Sequence, residues 1–119
     1  MRDYKKYDVW GNSHELVLFV YWEIIPHMLK TEQFELISQI KRSAYSIPMN
    51  IAEGCGRNSD NDFAHFLDMA QGSTHELEYC ALLSYELKFI NKDKFSLLNE
   101  KINEVIAKLI NLIKSIRKK

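Results

Sequence analysis

The chain has 119 residues, 46% apolar and 27% charged, with sixteen Lys and Arg balancing sixteen Asp and Glu. These values describe one domain large enough to bury a core without disulfide or metal support, and they exclude a multidomain assembly and a disordered chain. Zero net charge also argues against a strongly basic nucleic-acid domain.

The opening MRDYKKYDVW alternates charge with tyrosine and lacks the apolar core of a signal peptide. The longest apolar run, LVLFVYWEIIPHML, is interrupted by Glu23 and Pro26, so no membrane span is expected and the expected location is the cytoplasm. A first helix is predicted over about residues 10–28, with Val17, Val20, Ile24 and Met28 inward and an end around Pro26 to Leu29. A second, about 32–55, starts after Thr31 and turns Phe34, Ile37, Ile40, Ala44, Ile47 and Ile51 to one side.

Within that helix lies SIPMNIAEGCGR, residues 46–57. Pro48 deprives the Ala44 carbonyl of its usual donor, which admits either a kink in a continuing helix or a break and restart. Ala44, Ile47 and Ile51 stay in phase across it, so the kink is expected. Gly54 and Gly56 are expected to supply the exit through positive φ.

A third helix over about 60–90 has Ser59 as cap with Asp62 at N3. Its inward face is predicted to hold Phe63, Phe66, Ala70, Leu77, Ala81 and nearby Leu82. The fourth, about 92–117, is capped by Asn91 and stapled by Ile90 and Phe95. Its stripe, Phe95, Leu98, Ile102, Val105, Leu109, Leu112 and Ile116, repeats at three and four. Short connections between long helices force sequential antiparallel packing. The fold class is therefore all-α, a single up-down-up-down four-helix bundle.

Charge is divided unevenly along the chain. Residues 58–91 hold six acidic side chains against one basic, a local net of −5, and residues 92–119 hold three against eight, a local net of +5. The two fields would meet either in an antiparallel helix pair or between subunits. Apolar residues outside the seams, among them Leu16, Phe19, Tyr21, Trp22, Met69, Leu87, Leu97 and Ile110, leave faces wide enough to be covered by other copies. A homo-oligomer is thus expected.

The polar residues give weaker chemical signals. Asn50 and Glu53, three apart, share one side of a helix. They make either a ligand-binding pocket or a structural network around the proline, and the network is the expected reading. Asp62 and His65 form a single acidic-x-x-His match, short of the paired motifs of a dimetal bundle. Ser43, Ser46, Ser73 and Ser84 lack a base and orienter, and Gly54-Cys55-Gly56 is no phosphate loop. No catalytic residue, metal or cofactor is therefore predicted. Cys55 and Cys80 are expected as buried free thiols. Lys5, Lys6, Lys41, Arg42, Arg57, Arg117, Lys118 and Lys119 are the candidate contacts to RNA or DNA, with Tyr4 and Tyr7 adding aromatic surface beside Lys5 and Lys6.

DYKKYDVW, SQIKRSAYSIPMNIAEGCGR and GSTHELEY resemble the four-helix-bundle proteins encoded in intervening sequences of bacterial 23S rRNA genes. They are similar, more distantly, to the accessory variability protein of diversity-generating retroelements. The resemblance covers nearly the whole chain and is most specific at residues 38–57. It implies an all-helical bundle and a ring-like homopentamer, and a metabolic reaction is not implied. It also implies a motif of Pro48, Asn50, Ile51, Ala52, Glu53, Gly54 and Arg57, with Gly72, Ser73, Glu76, Leu77 and Glu78 on the third helix. The retroelement relative uses a basic surface toward nucleic acid and a reverse transcriptase, from which this neutral chain departs.

The expectation is a non-enzymatic, self-assembling interaction protein that meets nucleic acid or a protein partner through its assembled surface. Two alternatives stand beside it: a purely structural oligomer, and a small-ligand or metal-dependent enzyme using Asn50 and Glu53 with Glu76 or Glu78.

Overall fold

A computed structural model describes residues 2–32 and 34–118. It is a rod of 45 × 24 × 19 Å made of four helices: α1 (Asp8–Phe19), α2 (Leu36–Cys55), α3 (Asp60–Glu86) and α4 (Lys92–Arg117). Each helix packs on its sequence neighbours, and α1 also packs on α4, which closes the up-down-up-down bundle.

The predicted helices are all present, and their ends differ for local reasons. Helix α1 starts at Asp8 and continues as a wide π turn, Val20–Ile24, then a 3₁₀ turn, Ile25–His27. Pro26 stands at the head of that last turn, where its missing N–H costs least. Helix α2 begins only at Leu36, because Glu35 makes no side-chain cap and a separate 3₁₀ turn, Lys30–Glu32, precedes it. Phe34 is consequently outside the core and 86% exposed, contrary to its predicted inward position.

Helix α3 stops at Glu86 rather than near residue 90. The Phe89 amide donates to the Ser84 carbonyl at 2.8 Å and the Lys88 amide to Tyr85 at 2.9 Å, a Schellman closure with Lys88 in the left-handed region at φ 66°. The predicted caps form: Ser59 Oγ accepts from the Asp62 amide at 3.1 Å, and Asn91 Oδ1 accepts from the Lys94 amide at 2.8 Å.

The core is a continuous apolar seam. Val9, Leu16, Val20, Ile24 and Met28 come from the first helix and its extension, and Ile37, Ile40, Ala44, Ile47 and Ile51 from α2. Helix α4 contributes Leu98, Ile102, Val105, Leu109 and Ile116. Phe95 and Leu112 lie half-buried at its edges, and Val17 is half-buried beside Leu16. On α3 the seam is Phe63, Ala64, Leu67, Ala70, Leu77 and Ala81; Leu82 is exposed and Phe66 half-exposed, so the inward face is rotated from the predicted one.

Five buried hydroxyls accompany the seam. Ser13, Ser43, Ser73, Thr74 and Ser84 each donate to a carbonyl one turn back in their own helix. Among the described residues no buried side-chain polar atom lacks a partner.

Candidate interaction surface

The α2–α3 pairing organises the residues singled out from sequence. Helix α2 continues unbroken through the buried Pro48, as predicted from the phase of Ala44, Ile47 and Ile51. Gly54 serves a different purpose from the one expected. No glycine among the described residues has positive φ, and a Cβ on Gly54 would lie 2.8 Å from Phe66 Cβ and 3.1 Å from Phe63 Cδ1. Hydrogen in place of a side chain lets the end of α2 press onto the start of α3. Gly56 also has an ordinary right-handed backbone, at φ −81°.

Asn50 and Glu53 do not converge. Asn50 Nδ2 donates to the Ser46 carbonyl at 2.8 Å, while Glu53 pairs with Arg57 at 2.9 Å along the exposed edge. The Ser46 and Ser73 hydroxyls meet at 2.6 Å and bridge the two helices. Glu78 lies 3.4 Å from His75 on α3. Glu76 and Gly72 are exposed, and space around Gly72 is open. The polar motif is thus a set of local bonds along the α2–α3 edge and not a closed pocket. Among the described residues no three His, Cys, Asp or Glu side chains gather as a metal-ligand set.

Ser46 opposite Ser73 also fixes the antiparallel register, which sets Cys55 level with about residue 64. Cys80 is then some 16 residues along α3, roughly 24 Å away. Both thiols are free and buried, and burial pushes each pKa up.

The basic candidates do not form one patch. Lys5, Lys6, Arg57, Arg117 and Lys118 share one end of the rod, whereas Lys41 and Arg42 stand on α2 about 20 Å away along its axis. Two of the end group are committed to carboxylates. Arg57 holds Glu53 and lies over the Phe66 ring at 4.6 Å, and Arg117 grips Asp68 with bonds of 3.0 and 2.6 Å. The Arg117 contact keeps the Asp68 carboxyl below the usual carboxylate range. Lys5 and Lys41 lie over Tyr4 and Tyr21 at 5.9 and 5.5 Å. Lys6, Arg42 and Lys118 are exposed, and Lys119 lies outside the described residues.

Sequence reasoning missed Arg2. It donates to the Arg57 carbonyl at 2.8 Å and to Asp60 at 2.6 Å, and stacks on Phe63 at 4.4 Å. It fastens the N-terminal segment over the α2–α3 turn, a tertiary contact that no local pattern announces. Also missed was a groove of about 380 Å³ between α1 and α2, lined largely by Trp10, Val17, Tyr45, Pro48, Met49 and Ala52.

The model of the 23S rRNA-intervening sequence protein family matches residues 5–111. The chain belongs to this family. Among solved structures, a member of the S23 ribosomal protein family from Bacteroides thetaiotaomicron VPI-5482, described as a protein with unknown function, is similar at a TM-score of 0.82. That similarity has 27% identity and covers 89% of this chain and 98% of the other. No curated protein matches. The 23S rRNA-intervening sequence protein family thus accounts for the four-helix architecture, which this chain shares with the solved relative.

Proposed function

We infer that this family member is a non-enzymatic, cytoplasmic scaffold that assembles with copies of itself. The ring offers its combined surface to nucleic acid or to a protein partner, and the family resemblance implies five copies. The observation that carries the reading is the amount of large apolar side chain left outside a core that is already closed: Trp22 is 68% exposed, with Met49, Met69, Tyr79 and Leu97 also outward. The non-enzymatic part rests on dispersal, since Asn50, Glu53, Glu76 and Glu78 each face separate neighbours or solvent. Two buried free thiols fit a reducing compartment, and no described helix is long and apolar enough to cross a membrane.

Solution mass by light scattering and sedimentation over a wide concentration range tests the assembly. A multimer is expected, and a monomer at every concentration overturns it. Titration with single-stranded and duplex RNA and DNA tests the surface. Binding that weakens steeply with salt is expected of phosphate contacts from the exposed Lys6 and Lys118, and absence of binding at low salt leaves the protein-partner form of the reading.

A further inference from the structure

The lysines of α4 do not neutralise α3. Lys94 pairs with Glu23 at 2.8 Å, Lys101 lies over Phe19 at 5.2 Å and Lys108 donates to Asn12 at 2.6 Å. All three turn toward α1 and its extension. Of the α4 cations only Arg117 reaches an acid of α3 among the described residues, while Asp60 at the head of α3 is held by Arg2. Asp62, Glu76 and Glu86 are exposed there, with no ion-pair partner among the described residues.

The outer face of α3 is apolar as well as acidic. Met69, Gly72, Glu76 and Tyr79 follow spacings of three, four and three, one line along a helix. Gly72, with nothing within 4 Å of where its Cβ would be, lets another surface approach the backbone between the two projecting side chains.

The α1–α2 groove is the complement of this face. Its lining is aromatic and aliphatic, and Lys5 over Tyr4 and Lys41 over Tyr21 flank its ends, neither with a carboxylate partner among the described residues. We propose that the α3 line Met69–Gly72–Glu76–Tyr79 of one copy docks into the α1–α2 groove of the next, with α3 carboxylates set against the lysines at the groove ends.

The occupant is a second copy because the complementary charge and the apolar projections are both present on this chain, while the groove itself offers few polar groups to a nucleic-acid backbone. The two faces belong to different sides of the bundle. The contact is therefore head-to-tail, and such contacts close into rings when the rotation allows. This inference rests on the self-assembly proposed above and names the surface.

Met49 and Tyr79 are each 62% exposed, so Met49→Asp and Tyr79→Asp leave the monomer core intact, which far-UV circular dichroism verifies. Each variant alone should weaken assembly by about thirtyfold or more, the scale of a lost interface anchor. Mixed together they should form a heterodimer and nothing larger, since one retains a sound α3 face and the other a sound groove. Gly72→Ala should raise helix stability and still weaken assembly.

Wild-type-sized multimers of both variants would overturn this surface while leaving self-assembly standing. Two monomeric variants that fail to pair would overturn the head-to-tail contact. A wild-type chain that stays monomeric would remove the underlying reading. If the fluorescence of a Trp22→Phe monomer, in which Trp10 of the groove is the remaining tryptophan, also responds to an oligothymidylate, the groove belongs to nucleic acid and the proposal falls.

Discussion

Replacing Gly54 by alanine should destabilise the protein, although alanine is the better helix former. The added Cβ would be 2.8 Å from Phe66 Cβ, 3.1 Å from the Phe63 ring and 3.3 Å from the Phe63 carbonyl oxygen, against an ordinary carbon contact of about 3.5–4.0 Å. Phe66 Cβ and the carbonyl are fixed to the α3 backbone and cannot rotate away. The Phe63 ring is fully buried and held edge-on by Tyr7 at 5.8 Å and from above by Arg2. Relief therefore requires α2 and α3 to part. Overpacking of this kind costs about 1–3 kcal/mol. The gain in propensity offsets roughly 0.5–1 kcal/mol, at the lower end because Gly54 is next to the last residue of α2. The net loss is about 1–2 kcal/mol, or a fall in Tm of about 3–8 °C for a domain of this size. Gly11 is the control: it is helical, with nothing within 4 Å of the place a methyl group would occupy, so Gly11→Ala should raise Tm by about 2–4 °C. Thermal and urea melts at one fixed protein concentration compare the two. An unchanged or higher Tm for Gly54→Ala would refute the claim that the missing side chain sets the helix separation.

Lys88 occupies the left-handed position of a Schellman turn, so Lys88→Gly should stabilise by about 0.5–1 kcal/mol in urea unfolding, and a loss would show that the lysine side chain holds the turn. Asp68 is held below its ordinary pKa first by the hydrogen bond from Arg117. The pair's contribution is therefore complete above about pH 4 and disappears as pH falls through the folded pKa; Asp68→Asn should lower Tm slightly at neutral pH and converge with wild type in acid, and a gap that persists in acid would refute the linkage. Cys55 and Cys80, buried and with raised pKa, should be nearly inert to a thiol-reactive dye in the folded protein and react together on unfolding. Rapid labelling of either thiol in the native protein would place it outside the packed seam.

Apolar spacing made the helices legible because a packed bundle demands it. The stripe of α4 and the caps at Ser59 and Asn91 depend on neighbours within one or two turns, and they are where the sequence places them. Phe34 and the end of α3 were misjudged where apolar phase outran backbone chemistry: α2 has no cap before Leu36, and Lys88 accepts a left-handed conformation usually left to glycine. Gly54 shows the reverse problem. A glycine near a helix end suggests a turn, yet the reason for it here is the proximity of Phe63 and Phe66 on another helix, which no local pattern carries. Arg2 was invisible for the same reason, since its partners Arg57 and Asp60 are more than fifty residues away in sequence.

The charges show most clearly what periodicity leaves open. A stripe at three and four says which side of a helix faces inward, but not toward which of two neighbours its flanks lean. The acidic third and basic fourth segments read as a matched pair, and the folded chain joins them only at Asp68 and Arg117 among the described residues. Lys94, Lys101 and Lys108 lean the other way, onto Glu23, Phe19 and Asn12. A chain with no net charge thus keeps an acidic outer face on α3 and cations at both ends of an apolar groove. Within one molecule no ion pair joins the α3 acids to Lys5 or Lys41 among the described residues. Between molecules they can come into contact with Met69 and Tyr79 already projecting from the acidic face. On the proposed contact, neutrality in this sequence is a property that assembly would use: each copy would carry both halves of one contact, and self-association would join them without accumulating charge.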